Sequence, residues 1–567
     1  MSASTEDRLD AEILRHALRV AAEEASIVVV HSAHSAMIAE GADACAGILD
    51  REGRLVTLST ATNLMHAASL RCSLPAVLED HDIDAMVPGD IFVMNDCFRG
   101  GIHANDLVVF RPVFCAPEDG GASRVEWFTG TLIHVSDLGG SSSGGIVPTA
   151  TDVFAEGLQL PPVRLYAAGQ PVEDLHRILA LNSRTPDRVM GDVGALVAGV
   201  NVAAERMDAL VARFGVRRLM EGIDGYIAGA ESRMREELAL LAPGSYRGEY
   251  TIDGDGLEED REPVVRVDVI VGGDAGAIRL DFSATDDQAL GAINAGFSQA
   301  LTGALYAVRC FVDPGIPMNE GCFTPVDVVF RKGSLLDPYA PAACGGRVVS
   351  VTAACEAVVD ALSKARPERA TAASSVIHPY TLAAPSRLEP WLLLSYEYGG
   401  LGARRGSDGP SATGSFFLGG RNTVPQIEAL EATLPIVFER QRLLPDSGGA
   451  GQWRGGLGVE TRIRMLQDTE FALRSDRVKR PPCGREGGDE GLAGEQFVIE
   501  VEGGHRPLPP KAANLRLAAG ETLVLSTSGG GGLGRPLDRA RSAVAADVAE
   551  GFVSKEEAAS RYGLGTS

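Results

Sequence analysis

What this 567-residue chain lacks narrows it first. No stretch reaches the roughly 20 apolar residues needed to span a bilayer. The N-terminus, Met1-Ser-Ala-Ser-Thr-Glu-Asp-Arg8, is polar and has no signal-peptide core. The nine cysteines include no Cys-x-x-Cys pair. Scattered through a chain this long, they read as buried thiols of a reducing compartment, not as a disulfide framework. The cytoplasm is the expected location. Basic residues are the minority, with 52 Lys and Arg against 76 Asp and Glu and a net charge of −24. Such a surface repels nucleic acid and anionic membranes, so neither is an expected partner. No internal repeat and no long low-complexity linker interrupts the chain.

What remains is the composition of a folded globular protein, 45% hydrophobic and 23% charged. Its length exceeds what one core supports, which implies two to four packed subdomains. The 67 glycines point to many turns and close backbone approaches. Apolar residues at helical spacing (Leu9, Ile13, Leu14, Ala17, Leu18, Ala21) predict a helix over 6–40. A hairpin follows, Ala44–Leu49 and Arg54–Leu58 about the turn at 50–53. A helix is expected over 72–85. Strands are expected at Ile91–Asn95, Leu107–Phe114 and Val125–His134, the last two joined by an acidic, glycine-rich loop at 116–123. Helices broken near Thr185-Pro186 and Phe214-Gly215 fill 171–240. From Gly244 alternating strands take over (Val264–Val271, Ala277–Phe282), with helices at 297–312 and 350–365. Glycine and short strands dominate 390–530, and a helical segment closes the chain at 538–563. The fold class is α+β, with mixed or antiparallel sheets flanked by helices. Its expected spans are 1–243, 244–385 and 386–567.

Chemistry concentrates early, because seven of the ten histidines precede residue 135. The segment Met94-Asn-Asp-Cys-Phe-Arg-Gly-Gly-Ile-His-Ala-Asn-Asp106 and the segment Ile133-His-Val-Ser-Asp-Leu-Gly-Gly140 each set a histidine and carboxylates beside a glycine pair. Imidazole nitrogens with carboxylate oxygens suit Zn²⁺, Mn²⁺ or Fe²⁺, and two histidines with one or two carboxylates leave positions open for substrate. His103, Asp106 and His134 are therefore candidate ligands. The competing reading is a turn cap at His103 and a satisfied core histidine at His134. Asp43 is a further candidate, at a helix-to-strand junction where Glu40 would serve equally and where a plain cap is the alternative. His31 and His34, one helical turn apart, read as a half-exposed helix face. His66 precedes a helix and suits either substrate contact or packing. Gly529–Gly534 lacks the Gly-Lys-Ser/Thr ending of a phosphate loop and reads as a tight turn. Gly139-Gly140 and Gly144-Gly145 suit either a backbone nest for an anion or a plain flexible loop. Cys322 is by default a buried thiol.

Taken together these stretches resemble the hydantoinase B family nearly end to end. Asn95–Asp106 is similar to the family's Asn-Asp-Pro-Tyr-x-Gly-Gly-Thr-His-x-x-Asp, and His134–Gly140 to its His-x-x-Asp-hydrophobic-Gly-Gly. Further blocks are Glu156–Arg164, Asn294-Ala295, Pro317–Phe323, Gly333–Leu336, Arg421–Thr423, Pro445–Gly451, Arg454–Gly458 and the terminal glycine tract. Departures occur at Cys97-Phe98 (usually Pro-Tyr), at Ile102 (usually Thr) and at Gly414–Gly420, where the family often carries a histidine. They bear on the substrate more than on the ligand positions.

The resemblance implies that Asp43, His103, Asp106 and His134 hold one divalent metal ion (Zn, Mn or Fe). It implies an A-type partner subunit with an actin-like ATPase fold that binds ATP and Mg²⁺, hence a hetero-oligomer. ATP would phosphorylate a carbonyl oxygen of a cyclic amide, such as a hydantoin, 5-oxoproline or a lactam, and this chain would act on the activated species. Asp137 would orient His134 or serve as a base, and His66 is carried beside it as a catalytic candidate. An ATP-dependent ketone carboxylase subunit and a non-catalytic scaffold subunit are the alternatives.

Overall fold

The computed structural model describes residues 5–60, 66–116, 120–258, 261–273, 276–385, 391–414 and 424–564. Part of the loop expected at 116–123, most of the Gly414–Gly420 block and Arg421–Thr423 lie outside the described residues.

A seven-stranded antiparallel sheet dominates the first part of the chain. Its strands are β1 (Ala44–Asp50), β2 (Leu55–Leu58), β3 (Ile91–Met94), β4 (Asp106–Cys115), β5 (Arg124–His134), β6 (Val163–Ala167) and β7 (Gln170–Pro171), in the order β2-β1-β5-β4-β3-β6-β7. Side chains alternate between its two faces, and both faces are covered. Leu107, Val109 and Ile133 join Val29, Val193 and Leu196 in one apolar cluster. Their neighbours Val108, Phe110 and Leu132 join residues of a different set of helices.

The first face packs on α1 (Thr5–Ser32) and the short α2 (Ala36–Ala39) before the sheet, and, after α3 (Ala67–Asp80) and α4 (Glu173–Leu181), on α5 (Pro186–Phe214) and α6 (Val216–Leu238). The helix expected over 6–40 breaks in two because the amides of His34 and Ser35 donate to Asp192 Oδ1, at 2.8 and 3.1 Å, instead of continuing the helical ladder. Pro186 opens α5 at the position proline favours. Gly215, at φ +77°, divides α5 from α6 in a conformation that other residues rarely adopt.

The second face meets α3, α7 (Phe297–Cys310), α8 (Glu320–Phe323) and α9 (Val348–Ala365). Helix α9 also lies on a four-stranded sheet, β11-β10-β9-β8, made of β8 (Gly244–Thr251), β9 (Val264–Val271), β10 (Ile278–Asp281) and β11 (Val326–Val329). The pairing β10–β11 is parallel and the others are antiparallel. Contact is close: a Cβ on Gly248 would stand 1.9 Å from the Ala357 carbonyl oxygen. Val265, Val267 and Val269 are buried in this layer. Each contributes about 1.5–3 kcal/mol relative to exposure.

Two further sheets complete the α+β architecture. One, in the order β13-β12-β16-β19, contains β12 (His378–Ala383), β13 (Leu392–Glu397), β16 (Thr469–Arg474) and β19 (Lys511–Leu517). The other, in the order β14-β15-β20-β17-β18, contains β14 (Ile436–Leu443), β15 (Val459–Met465), β17 (Glu495–Ile499), β18 (His505–Pro507) and β20 (Thr522–Ser526). Leu382, Phe471 and Leu473 of the first meet Ile463, Val498 and Leu523 of the second in one buried cluster. Short helices at Arg541–Ala549 and Lys555–Ser560 close the chain. No described helix is long and apolar enough to cross a membrane.

The glycine tract after β20 is neither a phosphate loop nor a tight turn. Its amides are already used: Gly530 N donates to Gly456 O at 2.9 Å, Gly531 N to Ala373 O at 2.8 Å and Gly532 N to Asp489 O at 2.9 Å. A Cβ on Gly529, Gly530 or Gly531 would fall 1.9–2.1 Å from a backbone oxygen of Ser447, Leu401 or Cys483. Glycine is required here because main chain packs directly on main chain.

Candidate metal centre

The pairing of β4 with β5 sets Asp106, the first residue of β4, directly opposite His134, the last of β5. On the next strand Ala44 pairs with Ile133, which brings Asp43 alongside the same end of the sheet. The turn before β4 delivers His103 to this edge. Asp96 caps the short helix at 97–99 by accepting Phe98 N at 2.9 Å, and Asn95 anchors the crossing by donating to Ala104 O (2.6 Å) and accepting from Leu160 N (2.7 Å). Gly100, at φ +104°, passes so close to α3 that a Cβ would stand 2.1 Å from Cys72 O. Asp106 N closes the turn on His103 O at 2.9 Å.

The result is a buried triangle. His103 Nε2 lies 3.2 Å from His134 Nδ1 and 3.1 Å from Asp106 Oδ2, and His134 Nδ1 lies 2.9 Å from Asp106 Oδ1. Among the described residues these are the three whose ligand-type atoms converge in this way. Ligand atoms at tetrahedral corners around a Zn²⁺-sized ion stand roughly 3.3–3.6 Å apart, so a small expansion of the triangle admits such an ion. His134 Nε2 has no protein partner, which leaves Nδ1, the atom turned into the cluster, as the engaged nitrogen of that ring. Burial, with Arg347 adding to it, pulls His103 down to about 3, so its imidazole is neutral, the form a ligand needs. Burial alone would raise Asp106, but His103 and Arg347 hold it well below the usual carboxylate range. It is an anion.

Asp43 is buried beside the triangle, but its Oδ1 is engaged by His66 Nε2 at 2.9 Å. His66 is itself wholly buried at the head of α3. Its observed contact is therefore Asp43. Asp137 does not touch His134. Its carboxylate accepts Arg184 N (2.6 Å), Arg184 Nη1 (2.9 Å), Gly144 N (3.2 Å) and Gly139 N (3.4 Å). The anion in the glycine nest is thus the chain's own carboxylate, and Asp137 anchors the 139–145 loop rather than orienting His134. His31, His34 and Glu40 lie outside the cluster. Cys322 is buried, its thiol donates to Pro317 O at 2.8 Å, and burial pushes it up.

Three neighbours, Arg347, Arg474 and Tyr396, carried no signal of their own in the sequence. Arg347, at the N-cap of α9, donates through Nη2 to Asp106 Oδ2 at 2.6 Å. Arg474, at the end of β16, donates through Nη1 to Gly345 O. Tyr396, on β13, sits in the field of Asp43, Asp106 and Arg474, and burial pushes its hydroxyl well above the usual tyrosine range. Glu156 accepts Gly345 N (2.6 Å) and Cys344 N (3.1 Å), and burial raises it to about 7.

Fold and site together define an α+β protein built around a buried pocket of two histidines and a carboxylate. The chain belongs to the Hydantoinase B/oxoprolinase family, whose model matches residues 7–536. It is 27% identical over 576 residues to a protein of Pseudomonas sp. (strain NS671) that is provisionally named as the B component of a D-/L-hydantoinase, covering 98% of this chain and 95% of that one. The crystal structure of the ATP-dependent caprolactamase from Pseudomonas jessenii superposes with a TM-score of 0.90 at 26% identity, covering 100% of this chain and 97% of that one. A nucleotide-free acetone carboxylase structure gives 0.85 at 19% identity, over 99% and 80%, which speaks for the shared fold alone.

Proposed function

We propose that this chain is the metal-dependent subunit of an ATP-dependent hydrolase that opens a cyclic amide, namely a hydantoin, 5-oxoproline or lactam ring. The observation that carries the reading is the buried triangle of His103, Asp106 and His134, in a chain that aligns end to end with the caprolactamase structure. Asp43 completes a set of four around one divalent ion, with His66 holding its carboxylate. The ion would supply Lewis acidity at neutral pH. The chain's own residues do the rest. Asp106 fixes the orientation of both imidazoles, and burial keeps His103 neutral. Amide resonance resists attack, so hydrolysis needs prior activation, and O-phosphorylation by ATP provides it. The glycine tract is filled by backbone and offers no nucleotide loop, and the nucleotide is assigned to an A-type partner subunit.

The test is metal analysis of the purified chain, followed by ring-opening assays with the A-type subunit and ATP. The expected outcome is about one divalent ion per chain, lost in His103→Ala/His134→Ala, and ATP-dependent opening of at least one of the three ring types. ATP turnover that requires bicarbonate and a ketone would instead assign a carboxylase. Metal that stabilises the chain without any effect of its removal on turnover would assign a scaffold.

A further inference from the structure

Beside the triangle lies a second arrangement that the hydrolytic reading does not use. Arg347 and Arg474 are 6% and 5% exposed, and both address the loop Cys344–Arg347, one from its end and the other from across β16. Each guanidinium offers five N–H donors. Each has a single acceptor: Asp106 for Arg347, and the Gly345 carbonyl for Arg474. Both Nε atoms are buried and have no partner. Among the described residues, Arg347 Nη1 and Arg474 Nη2 have none either. Buried donors left unmade cost about 1–3 kcal/mol each, and more where the group is charged. Two like charges held together raise that cost further. The mutual repulsion is felt: burial, then Arg347, draws Arg474 down to about 10.

The charge balance shows what such a pair awaits. Without a metal ion, Arg347 meets the Asp106 carboxylate directly, and Arg474 lies in the field of Arg347, Glu156 and Asp106. A divalent ion held by Asp43 and Asp106 would take both of those negative charges. The guanidiniums would then be left with a surplus of about two positive charges in a largely buried pocket, and Arg347 Nη2 would lose its hold on Asp106. A ligand carrying two negative charges and several acceptor oxygens restores the balance. A phosphoryl group has that charge and three terminal oxygens, and guanidinium forks match its geometry.

We propose that Arg347 and Arg474 form a subsite for the phosphoryl group of the activated substrate, adjoining the metal triangle and completed when metal binds. This rests on the reading that the substrate is activated by phosphorylation. The arginines bind and orient that group, so that the activated carbon is presented to the triangle from a fixed direction. Because metal and anion compete for and release the same arginine–aspartate pair, each tightens the other by the same factor.

The test is calorimetric titration of inorganic phosphate into the full-length chain, loaded with Mn²⁺ and metal-free, with no ATP, partner or turnover involved. Wild type is expected to bind phosphate in the loaded form and about tenfold or more weaker in the metal-free form, and phosphate is expected to tighten Mn²⁺ by the same factor. Arg347→Met and Arg474→Met are each expected to weaken phosphate about ten- to a hundredfold. Arg347→Met should at the same time bind Mn²⁺ more tightly, because a competing cation has left Asp106. Arg474→Lys, which keeps a donor for Gly345 O, covers the case in which Arg474→Met does not fold, and should retain part of the affinity. Phosphate binding unchanged in every folded variant would mean that phosphate sits on the metal alone, and would overturn the subsite. So would bicarbonate binding more tightly than phosphate. Failure of every cyclic amide as substrate would overturn the hydrolase reading and leave the phosphate result standing.

Discussion

Replacing Asp106 with asparagine tests the electrostatic logic of the centre with almost no change in shape. The side chain is wholly buried, and Arg347, His103 and His134 all converge on it at 2.6–3.1 Å. Asp106→Asn removes the one negative charge that Arg347 contacts and leaves a guanidinium buried without a counter-ion. Breaking a buried pair from one side costs about 3–5 kcal/mol. If the chain melts as a unit, its unfolding entropy of roughly 2.1 cal/mol/K per residue turns each kcal/mol into about 0.8 °C, so the metal-free variant should melt about 3–4 °C below wild type. A divalent ion at a hundred times its Kd should stabilise wild type by about 2.7 kcal/mol, near 2 °C, and the variant not at all. Differential scanning fluorimetry with and without Mn²⁺ or Zn²⁺ reads both effects. A variant that melts with wild type and keeps the same metal-induced rise would refute the reasoning, because Asp106 would then be neither counter-ion nor ligand.

Three further outcomes follow from the structure. His66→Ala should lower metal affinity about ten- to a hundredfold while the chain stays folded, because Asp43 loses the imidazole that orients it; competition with a chromogenic chelator measures this. His378 is buried with Nε2 donating to Asp476 O at 3.0 Å, and burial holds it near 4 against about 6.5 when unfolded. Its folded value is the lower one, so its contribution is complete above pH 6.5 and is lost as pH falls from 6.5 to 4, by about 3 kcal/mol in all. Denaturant midpoints across that range should therefore drop more steeply for wild type than for His378→Gln, and parallel curves would count against it. Gly530→Ala places a Cβ 2.0 Å from Leu401 O, a backbone neighbour that cannot turn aside, and should cost more than the about 1–3 kcal/mol of ordinary overpacking; soluble yield and melting temperature check it.

Much of this was legible in the residues because it depends on local rules. The apolar runs of β4 and β5 and the breaks at Pro186 and Gly215 are set by neighbours a few positions away, and they lie where the sequence places them. The triangle was legible for the same reason, since a glycine pair and a strand end fix where His103, Asp106 and His134 point. What was not legible depends on partners far along the chain. The break after α1 is made by Asp192, 157 residues beyond Ser35. Asp137 looks like a partner for His134 until Arg184, 47 residues on, takes its carboxylate. Arg347 lies 241 residues from Asp106, and Arg474 and Tyr396 sit on strands of another sheet, so no local spacing marks them. The glycine tract misled because tight turns and backbone-to-backbone packing both call for glycine, and only the packing partners distinguish them.

The distance of Arg347 and Arg474 from the triangle also sets an order of events during synthesis. By residue 134 the emerging chain holds every side chain assigned to the metal, yet the cations that balance Asp106 and frame the pocket are still to be made. Only when β16 has been made and paired are both arginines in place. A divalent ion taken up early and one admitted late would therefore meet different competitors.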